Sequence, residues 1–292
     1  MYKAIATNKR NTILIMMVFV ALISFIGWAV SYFYGNVSIT YWVIGIAVIY
    51  AFIQYFAASK IAIAITGAHE IAKKDNPRFY RIIENLAITI GIPTPKVYII
   101  DDSAPNAFAT GRDPKNAIVA ATSGLIDMMD DHELEAVMAH EMGHIQNYDI
   151  RLSMITFGLV SAIGLIADIV LRIVLFGDND NDNRSPIVML IGFIFIVIAA
   201  PIVAVLVQMA ASRQREFLAD ATSAMTTRNP DSMISALEKI KNNGHPMQKQ
   251  NTAVAQLFFA NPLKAGFVNK LFSTHPPLQE RINRLRENTG KF

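Results

Sequence analysis

The residues best placed to do chemistry are two histidines four positions apart, with a glutamate directly after the first: HEMGH at 140–144. On a helix, His140 and His144 lie on one face, so both can offer an imidazole nitrogen to one metal ion. Glu141 is offset by one position, so its carboxylate can stand beside the ion and take a proton from water. This spacing predicts a metal-dependent hydrolase rather than two surface histidines on an amphipathic helix.

A catalytic zinc ion usually keeps three protein ligands and one open position, so the motif needs a third ligand. Glu216 comes just after the apolar stretch 187–211, and His144 comes shortly before the apolar stretch 154–176. Antiparallel helices joined by a short loop pack side by side, which would bring the two side chains to a similar depth. Glu216 is therefore a candidate third ligand.

A second carboxylate follows Glu216 on the same helix face. Asp220 lies four positions later and could hydrogen-bond a ligating histidine. Alternatively, both carboxylates belong to a solvated helix face and pair with Arg213 and Arg215. The spacing alone leaves both interpretations open.

The composition limits the chemistry and indicates membrane segments. The 292 residues include no cysteine, which excludes a thiol nucleophile and leaves histidine and carboxylate as zinc ligands. The chain is 53% hydrophobic and only 17% charged, whereas about 25% charged is typical of soluble domains. The net charge of +3 is small, and no nucleic-acid partner is expected.

A first membrane hairpin is predicted near the start of the chain. No charged residue occurs between Arg10 and Lys60, and this run is long enough for two helical passes of about 20 residues each. Gly35–Asn36 is typical of a turn, so we expect helices near 12–34 and 38–59. A cleaved signal peptide would have a shorter apolar core and a small-residue cleavage site after it.

Two later apolar stretches predict a second membrane hairpin, 154–176 and 187–211, joined by the acidic segment 177–186. Asp168 and Arg172 interrupt the first stretch, four positions apart, and could pair on one helix face. The alternative is that both stretches are buried core helices of a soluble domain. Four membrane helices in two hairpins are the expectation.

Basic residues flank the hairpins on one side of the membrane: Lys3, Lys9, Arg10, Lys60, Lys73, Lys74, Arg78, Arg81, Arg151, Arg213 and Arg215. The loops inside the hairpins carry only Arg184. Because positive residues stay on the cytoplasmic side, both termini and the motif are predicted to be cytoplasmic. The expected parts are a transmembrane hairpin (1–59), a cytoplasmic part with the motif helix (60–153), a second hairpin (154–211) and a cytoplasmic part with the third ligand (212–292).

The cytoplasmic parts are expected to form an α+β domain. Residues 60–90 carry apolar side chains at helical spacing. Three segments read as short strands between turns and predict a small antiparallel sheet: 96–101, 106–111 and 116–124. The motif helix should begin near Asp130, with Asp131 as its N-cap.

Four segments within this frame resemble the HtpX family: PNAFATG at 105–111, HEMGH at 140–144, REFLAD at 215–220 and STHPPLQERI at 273–282. That family comprises bacterial membrane-embedded zinc endopeptidases related to the CaaX prenyl protease, and the resemblance covers nearly the whole chain. It implies a mainly α membrane protein, with four transmembrane helices and a cytoplasmic α+β zinc metallopeptidase domain.

The resemblance also implies roles for single residues. His140, His144 and Glu216 would bind one Zn²⁺ per chain, although a His₂Glu site also takes other divalent ions, and Glu141 would be the general base. It implies cleavage of damaged or misfolded membrane proteins, or unfolded polypeptides, at the cytoplasmic (inner) membrane under stress. The oligomeric state stays open.

Two further segments gain a role from the resemblance. The strand residues Asn106, Ala107, Phe108 and Ala109 would bind substrate, since an exposed strand pairs with an extended peptide through its main chain. His275 would stabilise the oxyanion. The alternatives are an ordinary sheet strand and a loop histidine at a helix start.

Two other functions compete with this prediction. A protease cutting within the bilayer would carry its motif in an apolar span, but Asp130, Glu133, Glu135 and Asp149 surround this motif. A transporter or membrane scaffold is supported only by Asp168, since intramembrane carboxylates often mark ion paths. Metal-dependent peptide cleavage separates these classes.

Overall fold

The computed structural model describes residues 2–176, 213–249, 254–260 and 276–291. The chain forms two compact units. One comprises Met1–Lys9, Ser59–Met154 and Ala210–Phe292, and the other comprises Arg10–Ala58 and Ile155–Met209. The HEMGH motif belongs to the first unit.

Two helices near the start are long and apolar enough to cross a membrane. Helices α1 (Tyr2–Tyr34) and α2 (Ser38–Thr66) contain candidate spans of 28 and 29 residues. Large side chains such as Trp42 and Phe52 are exposed, as expected of a surface that faces lipid. Gly35, with φ of 64°, makes the turn between the helices.

The predicted second hairpin is only partly within the described residues. Helix α6 (Asp149–Phe176) covers the first apolar stretch. The stretches 177–186 and 187–211, and the side chains of Asp168 and Arg172, lie outside the described residues. Of the four expected spans, the described part of the chain holds two candidates, or three if the bent pair formed by the motif helix and α6 is one span.

The first unit holds a four-stranded sheet with strands β1 (His69–Glu70), β2 (Lys96–Ile100), β3 (Ala107–Gly111) and β4 (Ala117–Thr122). The order is β1-β2-β4-β3, so β3 is an outer strand. The pairs β1/β2 and β3/β4 are antiparallel, but β2/β4 is parallel. The predicted purely antiparallel sheet is therefore wrong. The hairpin strand β4 inserts between β2 and β3, and this placement makes it run parallel to β2.

The same unit contains the helices α3 (Pro77–Ile90), α4 (Ser123–Met128), α5 (Asp131–Gln146), α7 (Arg213–Thr227), α8 (Pro230–Asn243) and α9 (Leu278–Asn288). Residues 60–90 are thus not one helical segment, because α2 ends at Thr66 and β1 intervenes. Helix α3 starts at Pro77, with the Asn76 side chain accepting from the Phe79 N–H.

The motif helix α5 starts with a capping box. The N-cap is Asp130, one residue before the predicted Asp131, and its carboxylate accepts from the Glu133 N–H while the Glu133 carboxylate accepts from the Asp130 N–H. Helix α5 ends before Tyr148, whose left-handed φ of 62° turns the chain into α6. The start and end of the helix that carries HEMGH are therefore both fixed by local structure.

Helix α5 lies at the centre of the first unit. It packs against α3, α7, α8 and β3, and its apolar residues Leu134, Val137, Met138 and Met142 are fully buried. A helix surrounded on all sides shows no single apolar stripe. His140 and Glu141 are buried within this packing, so the motif lies in the core of the unit.

Candidate active site

The structure brings His140, His144 and Glu216 together. The two histidine Nε2 atoms are 3.1 Å apart. The Glu216 carboxylate oxygens lie 3.6 Å from His140 Nε2 and 3.5 Å from His144 Nε2. One ligand atom from each residue thus lies within 4.8 Å of the other two.

This triangle fits a small tetrahedral cation. Bonds of about 2.0–2.1 Å to a tetrahedral zinc ion place its ligand atoms about 3.3 Å apart. Two imidazole nitrogens and one carboxylate also form a common donor set of catalytic zinc sites. The residues therefore fit the metal that the sequence implies.

Close packing of α5 on α7 brings Glu216 to the two histidines. A Cβ atom added at Gly143 would lie 3.3 Å from Thr222 Cγ2 and 3.7 Å from Ala219 Cα. Glycine at this position in HEMGH thus lets the two helices approach. The Ser223 hydroxyl donates to the Ala136 carbonyl at 2.6 Å and ties α7 to α5 about two turns closer to the start of α5.

The second nitrogen of His140 faces a buried ion pair. His140 Nδ1 lies 2.9 Å from Asp220 Oδ1. Arg281, on α9, donates to both Asp220 oxygens, at 2.9 and 2.6 Å, and is fully buried. Burial would raise the pKa of Asp220, but Arg281 and His140 lower it below its ordinary value. Asp220 therefore stays ionised and accepts the Nδ1 proton of His140, which leaves Nε2 for a metal.

The second nitrogen of His144 has an equivalent carboxylate partner. Asp149 Oδ2 lies 2.9 Å from His144 Nδ1. The Asn8 amide, from the start of α1, donates to Asp149 Oδ1 at 2.6 Å and to the Asn147 carbonyl at 3.0 Å. Burial would lower the pKa of His144, but the hydrogen bond to Asp149 and the charge of Glu216 raise it to about 9. The surroundings of His144 therefore favour a positive charge.

Glu141 is buried beside the triangle. Its residue is 3% exposed, and burial raises the pKa of its carboxyl, an effect that the nearby His140 and His144 only partly offset. A buried carboxyl next to a cation site has the properties of a proton-transfer group.

The four residues expected to bind substrate lie on the outer strand of the sheet. Asn106, Ala107, Phe108 and Ala109 lead into or form β3, which packs against α5. All four are buried, at 2, 0, 0 and 6% exposure, rather than exposed as expected. The segment of residues 258–260 runs along part of the outer edge and accounts for some of this burial. His275 lies outside the described residues.

Three residues of the site were not found by sequence reasoning. Arg281 is in the quoted STHPPLQERI segment, but nothing in its local pattern separates it from a surface helix arginine. Asp149 was named only as one of the charged residues around the motif, although its position five residues after His144 permits contact across the bend. Asn8 carries no signal at all, because its contact spans 141 residues of sequence.

Buried Glu216 and Asp220 also decide between the two earlier interpretations of α7. Both carboxylates face the histidines, at 8 and 2% exposure, and do not form a solvated face. Arg215 lies 3.8 Å from Asp149, so it too faces the inside of the site.

Two packed helices that present a His-Glu-x-x-His motif and a third carboxylate define the class of metal-dependent peptidases. Comparison with known proteins agrees. Residues 73–289 match peptidase family M48, and the chain belongs to that family. It is 52% identical over 292 residues to a Protease HtpX homolog of Tropheryma whipplei, with both chains covered completely.

A second relative and a solved structure extend the comparison. A Protease HtpX homolog of Streptococcus gordonii is 43% identical over 296 residues, covering 98% of this chain and 99% of the relative. The crystal structure of S. mikatae Ste24p matches with a TM-score of 0.52 at 19% identity, covering 98% of this chain and 66% of that one, and this likeness concerns the fold. The resemblance to HtpX proteins is confirmed, and the protein is a membrane metalloprotease.

Proposed function

We propose that the protein is a zinc-dependent endopeptidase in which His140, His144 and Glu216 hold the ion and Glu141 is the general base. The triangle of ligand atoms carries this proposal. The two Nε2 atoms are 3.1 Å apart, and each faces one Glu216 oxygen, Oε1 at 3.5 Å from His144 and Oε2 at 3.6 Å from His140, which suits a tetrahedral ion. The ion when bound supplies a Lewis acid that acidifies water and favours negative charge on a carbonyl oxygen.

The protein's own groups orient the ligands and move the proton. Asp220 and Asp149 accept the Nδ1 protons of the two histidines and fix which nitrogen faces the ion. Glu141 takes the proton of the attacking water and passes it to the leaving amine. Its raised pKa suits this role, because the carboxyl must hold the proton long enough to deliver it.

The substrate binds as an extended peptide along β3. This strand packs against the motif helix, and main-chain pairing at its outer edge would give affinity with little dependence on sequence. The substrates are damaged or misfolded membrane proteins, cleaved on the cytoplasmic side of a bacterial cytoplasmic membrane in stress. The candidate spans, the basic residues that flank them and the HtpX relatives support this setting.

The test is paired measurement of bound zinc and of cleavage of a misfolded membrane protein, for wild type and Glu141→Gln in detergent. We expect close to one zinc per chain in both proteins, because Glu141 is not a ligand. Cleavage should occur only in wild type and should stop when a chelator removes the ion.

His140→Ala is the matched control, since it should lose both zinc and cleavage. Cleavage by Glu141→Gln at the wild-type rate would exclude Glu141 as the base. A folded wild-type protein with no stoichiometric metal would overturn the proposed ligand set.

A further inference from the structure

The outer edge of β3 is not free along its whole length. The Asn106 carbonyl accepts from the Thr122 N–H, at 2.9 Å, and so faces β4. Main-chain groups alternate in direction along an antiparallel strand, so those of Ala107 face away from the sheet. The Ala107 carbonyl accepts from the Phe259 N–H at 2.7 Å. The position at which a peptide would pair is thus taken by the protein's own chain.

The Asn106 side chain makes the same kind of contact. Its Oδ1 accepts from the Ala260 N–H at 3.0 Å, and its Nδ2 donates to the Ala260 carbonyl at 2.8 Å. A buried side-chain amide that bonds both the N–H and the carbonyl of one residue recognises the main chain, whatever side chain that residue carries. Together with the Ala107 carbonyl it makes three main-chain hydrogen bonds to two consecutive residues.

The side chains of this segment fill the space beside the metal ligands. The Phe259 ring is buried and meets the His140 ring edge-on, with centroids 5.0 Å apart. The Arg281 guanidinium lies over the Phe259 ring, 4.4 Å from its centroid. Phe258 bridges to Phe108 as an antiparallel partner, and their rings meet edge-on at 5.2 Å. An aromatic side chain therefore sits directly against a ligand of the proposed ion.

We propose that Phe258–Ala260 is an internal occupant of the peptide-binding edge, and that a substrate must displace it and take over its contacts. This inference rests on the proposed function of β3. It assigns the Asn106 amide and the Ala107 carbonyl to the substrate backbone, and a pocket between His140 and Arg281 to a large aromatic side chain of the substrate. The resting protein is consequently blocked by its own chain.

The first test is hydrogen exchange of the Phe259 amide in full-length, zinc-loaded Glu141→Gln protein. The probe is a fluorescent peptide that contains the sequence Leu-Phe-Phe-Ala, and its binding is measured separately by anisotropy. Binding should speed exchange at Phe259 about tenfold or more, because its acceptor is taken by the peptide. A matched peptide with Gly-Gly in place of Phe-Phe should bind more weakly.

Two outcomes would overturn the inference in different ways. A peptide that binds while Phe259 stays fully protected shows that the segment is a fixed part of the sheet. A peptide that does not bind, in protein that retains zinc and whose wild type cleaves protein substrates, removes β3 as the substrate edge. The zinc and Glu141 roles would stand in both cases.

The second test weakens the internal contact by substitution. Ala260→Pro removes the main-chain N–H that donates to Asn106 Oδ1. Ala260→Gly keeps this N–H and serves as the matched control. With the segment held less firmly, we expect the proline variant to show a KM for peptide about fivefold below that of the glycine variant, at similar kcat and zinc content. An equal or higher KM would contradict the inference. If the proline variant does not fold, the exchange measurement decides.

Discussion

At the scale of single residues, the proposed zinc site depends on side chains that are not among its proposed ligands. Asp220 and Arg281 form a buried ion pair behind His140, and Asp149 and Asn8 form a hydrogen-bonded pair behind His144. Each ligating histidine is thus oriented by a carboxylate, and each carboxylate is held by a second group. Removing a residue that supports a metal ligand in this way commonly lowers metal affinity by about 10–100-fold.

The ion pair behind His140 gives the first prediction at this scale. Arg281→Met leaves the Asp220 carboxylate buried without its cation, which should cost about 3–5 kcal/mol of stability. The double variant Arg281→Met/Asp220→Leu should recover much of that stability, because both charges are gone. Its zinc affinity should nevertheless stay below that of wild type, because His140 Nδ1 has lost its hydrogen-bond acceptor.

Thermal unfolding in detergent and zinc retention against a chelator measure the two effects separately. If the double variant bound zinc as tightly as wild type, Asp220 would have no part in orienting His140. If the single variant were as stable as wild type, the ion pair would not be buried as described.

The amide behind His144 gives the second prediction. Asn8→Leu removes the donor to Asp149 Oδ1, so the carboxylate is freer to rotate away from His144 Nδ1. We expect zinc affinity to fall roughly tenfold, measured by competition with a chelator. Asn11→Leu, at a half-buried position on the same helix, is the control and should leave affinity near wild type. Equal affinities for the two variants would contradict a role for Asn8.

At the scale of elements, the distance between α5 and α7 controls the proposed zinc site. Two of the proposed ligands are on α5 and one is on α7, so a small separation of the helices moves Glu216 away from both histidines. Gly143 lies in the contact between the helices, where an added Cβ atom would be 3.7 Å from the Ala219 Cα atom. Glycine costs roughly 0.5–1 kcal/mol relative to alanine within a helix, so its presence here serves the close approach.

This geometry predicts a compensated pair of substitutions. Gly143→Ala places a Cβ atom 3.3 Å from Thr222 Cγ2, so α7 must shift by a few tenths of an ångström. We expect zinc affinity to fall severalfold with little loss of stability, because alanine favours the helix. Thr222→Ser removes the contacting methyl group but keeps the hydroxyl that donates to the Leu218 carbonyl.

The double variant Gly143→Ala/Thr222→Ser should therefore regain most of the zinc affinity. Titration of the four proteins of this cycle with zinc measures the coupling. Additive effects of the two substitutions would show that the contact between Gly143 and Thr222 does not set the helix distance.

At the scale of the whole molecule, one chain combines apolar helices with a metal-peptidase unit. The first unit gathers residues from the start, middle and end of the chain, separated by the apolar segments. The residues 1–9 belong to this unit, and through Asn8 they contact the site. The N-terminal helix is therefore both a candidate span and part of the peptidase unit.

The proposed topology can be tested because the chain contains no natural cysteine. Val37→Cys lies at the turn between α1 and α2, and Lys74→Cys lies in the peptidase unit, and both positions are exposed. If basic residues face the cytoplasm, a membrane-impermeant maleimide should label Val37→Cys in intact spheroplasts and Lys74→Cys only after permeabilisation. The reverse labelling pattern would place the site on the opposite side.

The sequence by itself determined the local elements and the residues to which the proposed chemistry is assigned. HEMGH predicted two ligands and a base because helical spacing fixes which side chains share a face, and charge-free runs predicted the apolar helices α1 and α2. Alternation and turn residues located β2, β3 and β4. These features depend on neighbours within a few residues, so local sequence contains them.

Only the tertiary structure decided what depends on distant contacts. The insertion of β4 between β2 and β3 made the sheet mixed, and α7 packed Glu216 and Asp220 against the histidines rather than against solvent. Arg281 and Asn8 come to the site from far along the chain, and Phe258–Ala260 occupies the edge of β3. A residue's local sequence does not record which distant element will pack on it, and that packing sets the burial, partners and charge on which the site depends.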